Sequence, residues 1–403
     1  MDLLYEKIHN MKIIDAHEHM YYKDERKKMN ADFFHMLHYL ESDMITAGMP
    51  YRISTSEIEF DEKIDIFLDY YNKTKNTSYA KAIKIFAKDL YGIDKIDKEG
   101  IYELNRMIKE KNDDPNWYEF VLKKRANINI LLVIDGGSFN PPYYAKSLAY
   151  LDFLMQKGYI EDVINRKRNE GVSKFSFDDY LEHVHNLLQK FYNNGIIGYK
   201  FGLPYWRDLD IKMSEYEEAR YDFEQNHFSK RLENYIFHHI MNFILEHNLP
   251  IQVHTGHVEP CAVENGYQLS YSDVTNFLSV VNRYKDIKFI LLHTGFPYQN
   301  QYLSIAKNTP NVYVDFTWIH LISPSLSNET LSYAIELIPQ NKIIGFGGDF
   351  MHVENIYSHS VITREVIYNT LKQKIQQGYM DIEEAIEFAQ NILYNNPISI
   401  YNL

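Results

Sequence analysis

Two histidines stand two residues apart, His17 and His19, in the run IIDAHEHM. If the apolar residues before them form a strand, period-two alternation turns both imidazoles to one side, where they can chelate one cation. The pair is a weak signal alone, because two surface histidines on a turn would read the same way. Other residues strengthen it. His254 closes the apolar run LPIQVH before Thr255 and Gly256, and His293 closes FILLH before Thr294 and Gly295. One such histidine is ordinarily hydrogen-bonded filler, but two strands that both end in His-Thr-Gly weaken that reading. Asp349 follows IIGFGG, where Gly347 and Gly348 allow a sharp turn that brings a carboxylate close to a buried centre. The alternative for Asp349 is an ordinary turn residue. Lys200 lies inside GYKF, and a lysine within an apolar strand is costly unless paired or modified. It either faces the same centre or runs its stem along the rim.

Imidazole nitrogens with one carboxylate suit Zn²⁺, Mn²⁺, Fe²⁺ or Co²⁺, and zinc is the expected ion. Three histidines and an aspartate without cysteine leave a position for water. The ion lowers that water's pKa toward about 7, and Asp349 can take its proton and return it to a leaving group. Tyr205, Arg207, His257 and Trp318 lie just beyond strand ends and are candidate substrate contacts, Arg207 for a carboxylate. Loop packing accounts for each of the four equally well.

These residues need elements to position them. Short apolar runs at 11–16, 127–135, 147–153, 195–201, 249–254, 287–293, 311–316 and 342–349 alternate with helical patterns. That alternation predicts an α/β fold with a parallel sheet. Eight strands with intervening helices favour a closed (β/α)8 TIM barrel over an open sheet, and no glycine-rich phosphate turn follows the first strand. The chemically suggestive residues all fall at the C-terminal ends of strands, where barrels carry their active sites. Residues 21–125 show helical periodicity, many charges and no strand. They read as a mostly helical insertion or cap after strand 1, expected over the catalytic mouth. A separate helical domain is the alternative; the preferred reading is one domain over 1–403.

Composition narrows the class. Of the 403 residues, 45% are hydrophobic, enough for a sizeable core, and the net charge of −13 argues against nucleic-acid or anionic-membrane partners. Cys261 is the one cysteine, so no disulfide can close within the chain and no cysteine-based zinc finger can form. No apolar run approaches the roughly 18 residues of a membrane span, and the N-terminus carries no secretory pattern. The expectation is a cytoplasmic protein acting on a small molecule, with a homo-oligomer possible.

The segments IIDAHEHM, GYKFGLPYWRDL, PIQVHTGH, FILLHTGFPYQNQYLSIAKNTPNVYVDFTW and IIGFGGDFMH together resemble the amidohydrolase superfamily, closest to its amidohydrolase-related (type 2) metal-dependent hydrolases. Residues 289–318 resemble a branch that includes hydrolase-like domains fused to glutamine-synthetase-like domains. Residues 21–125 carry no such resemblance. It implies metal ligands at His17 and His19, with Asp349 as ligand and proton shuttle. Two versions of the site stay open. With one metal, His254 binds the ion and His293 polarises or protonates the substrate. With two, Lys200 carries a carboxylate formed from carbon dioxide that bridges the ions, and both later histidines bind the second. The implied activity is hydrolysis of a C–N or C–O bond in an amide, lactone or ester. The superfamily also holds decarboxylases and uronate isomerases, although the late tryptophan-rich signature of the latter is missing here. A catalytically silent barrel serving as a scaffold is the reading from another class.

Overall fold

A computed structural model describes residues 2–137, 140–259 and 268–403; Cys261 lies outside the described residues. The chain folds as a (β/α)8 barrel. Its eight strands are β1 (Ile13–Glu18), β2 (Ile128–Ile134), β3 (Ala145–Tyr150), β4 (Tyr199–Phe201), β5 (Ile251–Val253), β6 (Phe289–Leu291), β7 (Val312–Asp315) and β8 (Ile343–Ile344). They form one sheet in the order β1 to β8, as the sequence reading expected. The run β3–β4–β5–β6–β7 is parallel, with Lys200 opposite Tyr150 on one side and Gln252 on the other. All six residues of β1 and all three of β4, β5 and β6 are buried, as expected for parallel strands covered on both faces.

Several strands are shorter than the apolar runs that announced them. The last run, 342–349, keeps only Ile343–Ile344 in the ladder, because the chain then leaves regular strand geometry and reaches Asp349 at φ +59.

By contacts the chain divides into two compact units. The described residues among Met1–Leu132, Val258–Tyr267 and Phe316–Pro397 make one, and those among Val133–His257, Gln268–Asp315 and Ile398–Leu403 make the other. The first contains β1, β8 and the inserted segment. That segment is helical, as predicted: Lys23–Met29, Tyr39–Thr46, Phe60–Thr74, Ser78–Tyr91 and Lys98–Lys111 are α-helices, and Phe120–Arg125 is a π-helical turn. Helix Ser78–Tyr91 shows why. Thr77 caps its N-terminus by accepting from the Ala80 amide, and Tyr79, Ala80, Ala82, Ile83, Phe86 and Ala87 make a buried stripe at helical spacing. The insertion is tied to helix Val353–Gln376 by the fully buried Glu354, which accepts from Arg26 at 2.8 Å, Tyr91 at 2.7 Å and Trp117 at 2.8 Å.

Among the described residues, no helix is long and apolar enough to cross a membrane.

Candidate metal centre

β1 ends by delivering His17, and the next residues deliver His19; the two rings lie 5.2 Å apart at 77°. The turn after β8 delivers Asp349. One carboxylate oxygen, Oδ1, stands 3.2 Å from His17 Nε2 and 3.5 Å from His19 Nε2. A tetrahedral ion with bonds of about 2.0–2.1 Å has ligand-to-ligand edges of about 3.4 Å. The two histidine-to-carboxylate separations therefore match such edges, all three ligand atoms lie within 4.8 Å of one another, and the nitrogen–oxygen donor set suits a divalent transition metal. His17 is fully buried, whereas the His19 side chain is 40% exposed, so solvent reaches one side of the triad.

The backbone that presents Asp349 is held from several directions. Its amide donates to the His17 carbonyl at 3.0 Å, and its own carbonyl accepts from the Tyr39 hydroxyl at 2.7 Å. The Gly348 amide donates to Asp15 Oδ1 at 3.0 Å, the Phe350 amide to Glu18 Oε2 at 2.7 Å, and the Gly348 carbonyl accepts from His359 Nδ1 at 2.9 Å. His320 Nε2 serves the Gly345 carbonyl in the same way at 2.9 Å. The two acidic residues of DAHEH thus point at the backbone of the aspartate turn. A Cβ on Gly348 would lie 1.8 Å from Glu18 Oε1, so the turn can approach the carboxylates only as glycine.

Burial pushes the Asp15 carboxyl up to about 7 and the Glu18 carboxyl well above its ordinary value. The two hydrogen-bond each other. Their remaining oxygens, Asp15 Oδ2 and Glu18 Oε1, have no other partner, and two carboxyl oxygens bond only when one carries a proton.

The second unit carries the other candidates. His254, at the end of β5, has its Nε2 2.7 Å from the His257 carbonyl and its Nδ1 3.1 Å from His293 Nε2. Both of its ring nitrogens are therefore engaged inside the protein. His293 is buried at φ +64, and Thr294 follows at φ +50. The two His-Thr-Gly turns meet: a Cβ on Gly256 would stand 2.3 Å from the Phe296 carbonyl oxygen. Lys200 is buried in β4, and its positive charge offsets part of the burial that pushes Asp152 up to about 6. Tyr205 is 46% exposed, with its ring 4.8 Å from that of His254. Arg207 is buried and bonds Glu233 at 2.7 Å and Asn234 at 2.8 Å, so its guanidinium is occupied within the fold. The His257 ring lies 5.9 Å from that of Phe296. Trp318, in the first unit, is fully buried at φ +66 and stacks on Tyr39 at 4.7 Å.

Residues 211–403 match the amidohydrolase family profile. Over that stretch the chain is similar to amidohydrolases. The matched stretch is just under half of the chain and contains His254, His257, His293, Trp318 and Asp349; His17, His19, Lys200, Tyr205 and Arg207 precede it. The protein FluG of Emericella nidulans is 25% identical over 161 residues, which are 40% of this chain and 18% of that protein. The match thus spans under a fifth of FluG. Among solved structures, a candidate metal-dependent hydrolase of Lactobacillus casei ATCC 334 has a TM-score of 0.72 at 17% identity, covering 100% of this chain and 98% of that one. The uronate isomerase of Thermotoga maritima has a TM-score of 0.81 at 17% identity, covering 99% and 96%. Identities this low speak to the shared barrel fold.

Sequence reading passed over Asp15, Glu18, Tyr39, His320 and His359. Asp15 and Glu18 did carry a signal: two carboxylates in a strand buried on both faces need partners. Tyr39, His320 and His359 carried none, since tyrosine and histidine are unremarkable within helical patterns.

Proposed function

We propose that the chain is a divalent-metal-dependent hydrolase that cleaves a C–N or C–O bond in a small polar metabolite such as an amide, lactone or ester. The observation that carries this reading is the triad of His17 Nε2, His19 Nε2 and Asp349 Oδ1, with both nitrogens 3.2–3.5 Å from the carboxylate oxygen and one side open to solvent. His17, His19 and Asp349 would hold the ion, with zinc the first candidate and manganese, iron or cobalt the others. Such an ion supplies Lewis acidity and a readily deprotonated water at neutral pH. Asp349 would also serve in proton transfer, taking a proton from the attacking water and delivering it to the leaving nitrogen or oxygen. The Asp15–Glu18 pair, Tyr39 and His359 hold that carboxylate's backbone in place. The family resemblance would add His254 as a further ligand, for which its Nε2 would have to leave the His257 carbonyl, with His293 as the residue that polarises the substrate and Lys200 as a bridging ligand only if two ions bind. Tyr205, Arg207, His257 and Trp318 stay proposals as substrate contacts, Arg207 the weakest because its charge is already matched. The protein is proposed to work in the cytoplasm.

A second reading, isomerisation of a sugar acid, is favoured by one observation: the Thermotoga uronate isomerase superposes over 99% of this chain, inserted helices included. Isomerisation moves a proton between adjacent carbons and consumes no water. Metal analysis of the purified protein, followed by a panel of lactones, dipeptides, simple carboxylic acids and D-glucuronate, separates the readings. One or two transition ions per chain with turnover of a lactone or amide is the expected outcome. Conversion of D-glucuronate alone would move the assignment to the isomerase, and carbon dioxide release from an acid to a decarboxylase. A chain with no ion and no turnover would leave a scaffold.

A further inference from the structure

His38 sits in the inserted segment immediately before helix Tyr39–Thr46, and its backbone is unusual: φ +41 and ψ −113. That region is open to glycine and strongly disfavoured for a residue with a Cβ. Strain of this kind persists where surrounding structure imposes it, and it concentrates at functional sites. The geometry turns the imidazole inward. It stacks on Tyr39 at 4.0 Å and 28° and meets Phe350 at 5.3 Å. Those are the residue whose hydroxyl holds the Asp349 carbonyl and the residue that follows Asp349. The ring also feels the charge of Asp349. Despite this placement, His38 Nδ1 is buried without a hydrogen-bond partner, and the side chain makes no N-terminal cap to the helix it precedes. A buried, unsatisfied nitrogen costs roughly as much as a lost hydrogen bond, so fold stability explains neither the strain nor the empty nitrogen.

We propose that His38 is a substrate-binding residue of the Asp349 site, its Nδ1 hydrogen-bonding an oxygen of a small carbonyl- or hydroxyl-bearing ligand. Burial holds the imidazole neutral, with its pKa down at about 4, so the ring offers one donor and one acceptor and no charge. Tyr39, stacked between His38 and Trp318, supplies the flat wall beside that oxygen. The insertion thereby contributes recognition. This inference rests on the metal-site reading above.

The test compares wild type with His38→Gly and His38→Asn, each loaded with Co²⁺, using acetohydroxamate as an oxygen-bearing probe. Bound cobalt, melting temperature and the probe's Kd from the cobalt absorption bands are measured. All three chains should hold the same cobalt. His38→Gly should melt about 1–4 °C higher, because glycine accepts the backbone geometry without strain. It should also bind the probe about tenfold more weakly, the size of one lost hydrogen bond in a buried site. His38→Asn, which retains a side-chain donor and acceptor, should recover most of the affinity. Unchanged affinity in His38→Gly overturns the inference, as does a His38→Gly chain that melts below wild type. A wild-type protein that takes up no cobalt defeats the metal reading, and the melting comparison then decides on His38 by itself.

Discussion

At the scale of residues, the candidate site separates groups that would touch an ion from groups that place them. Asp349 does the first, and its proposed second task is proton transfer. Asp349→Asn preserves size and one oxygen ligand while removing the base. It should keep much of the metal and lose about 10² to 10⁴ in turnover; metal content measured beside kcat checks this, and normal turnover at saturating substrate would sink the mechanism. Gly348 belongs to the placing groups. Its Cβ-free backbone lies where a methyl would stand 1.8 Å from Glu18 Oε1, and Glu18 is itself fully buried. Gly348→Ala should therefore destabilise the fold by about 1–3 kcal/mol, the usual cost of overpacking, and weaken metal uptake as the turn shifts. Denaturant titration and a metal-binding isotherm on the same preparation test both parts. A variant with wild-type stability and affinity would mean that the turn tolerates displacement.

At the scale of elements, the inserted helices depend on one buried ion pair. Glu354, on helix Val353–Gln376, is fully buried, and Arg26 beside it helps hold its carboxyl down at about 2, against an ordinary value of 4.5, although burial alone would raise it. A carboxyl depressed in the folded state contributes stability that is complete above about pH 4.5 and is lost as the pH falls toward about 2. The difference corresponds to roughly 3 kcal/mol. Glu354→Gln should accordingly be less stable than wild type at pH 6, with the gap narrowing as the medium is acidified to pH 3. Urea melts across that range measure it, and a gap independent of pH would show that the charge is not the stabilising feature. Removing the whole side chain should be harsher, about 3–5 kcal/mol, because Arg26 would be left buried without its counter-charge. The Tyr91 hydroxyl and Trp117 indole that converge on Glu354 would lose their acceptor too.

At the scale of the molecule, a site assembled from β1 and the turn after β8 links ligand binding to folding. An ion that binds only the folded chain stabilises it by mass action, about 2.7 kcal/mol at a hundredfold excess over Kd. Chelation should lower the melting temperature by a few degrees, added zinc should restore it, and the His17→Ala, His19→Ala double variant should respond to neither. A double variant that still gains stability from zinc would place the ion elsewhere. The barrel, its eight strand positions and the helical insertion were all legible in the sequence. Strand burial, strand-end histidines and glycine turns are written in local residue order, and local order is what periodicity and motif report. Tertiary structure alone decided what holds the aspartate turn. Tyr39 reaches Asp349 across 310 residues of chain, and His359 reaches Gly348 from a helix whose sequence looks like any buried helix. The strain at His38 likewise has no sequence mark, because a backbone angle forced by packing depends on neighbours distant along the chain. It also took the fold to show Arg207 already bonded to Glu233 and Asn234, since a charge in a loop reads the same whether its partner is a substrate or the protein itself.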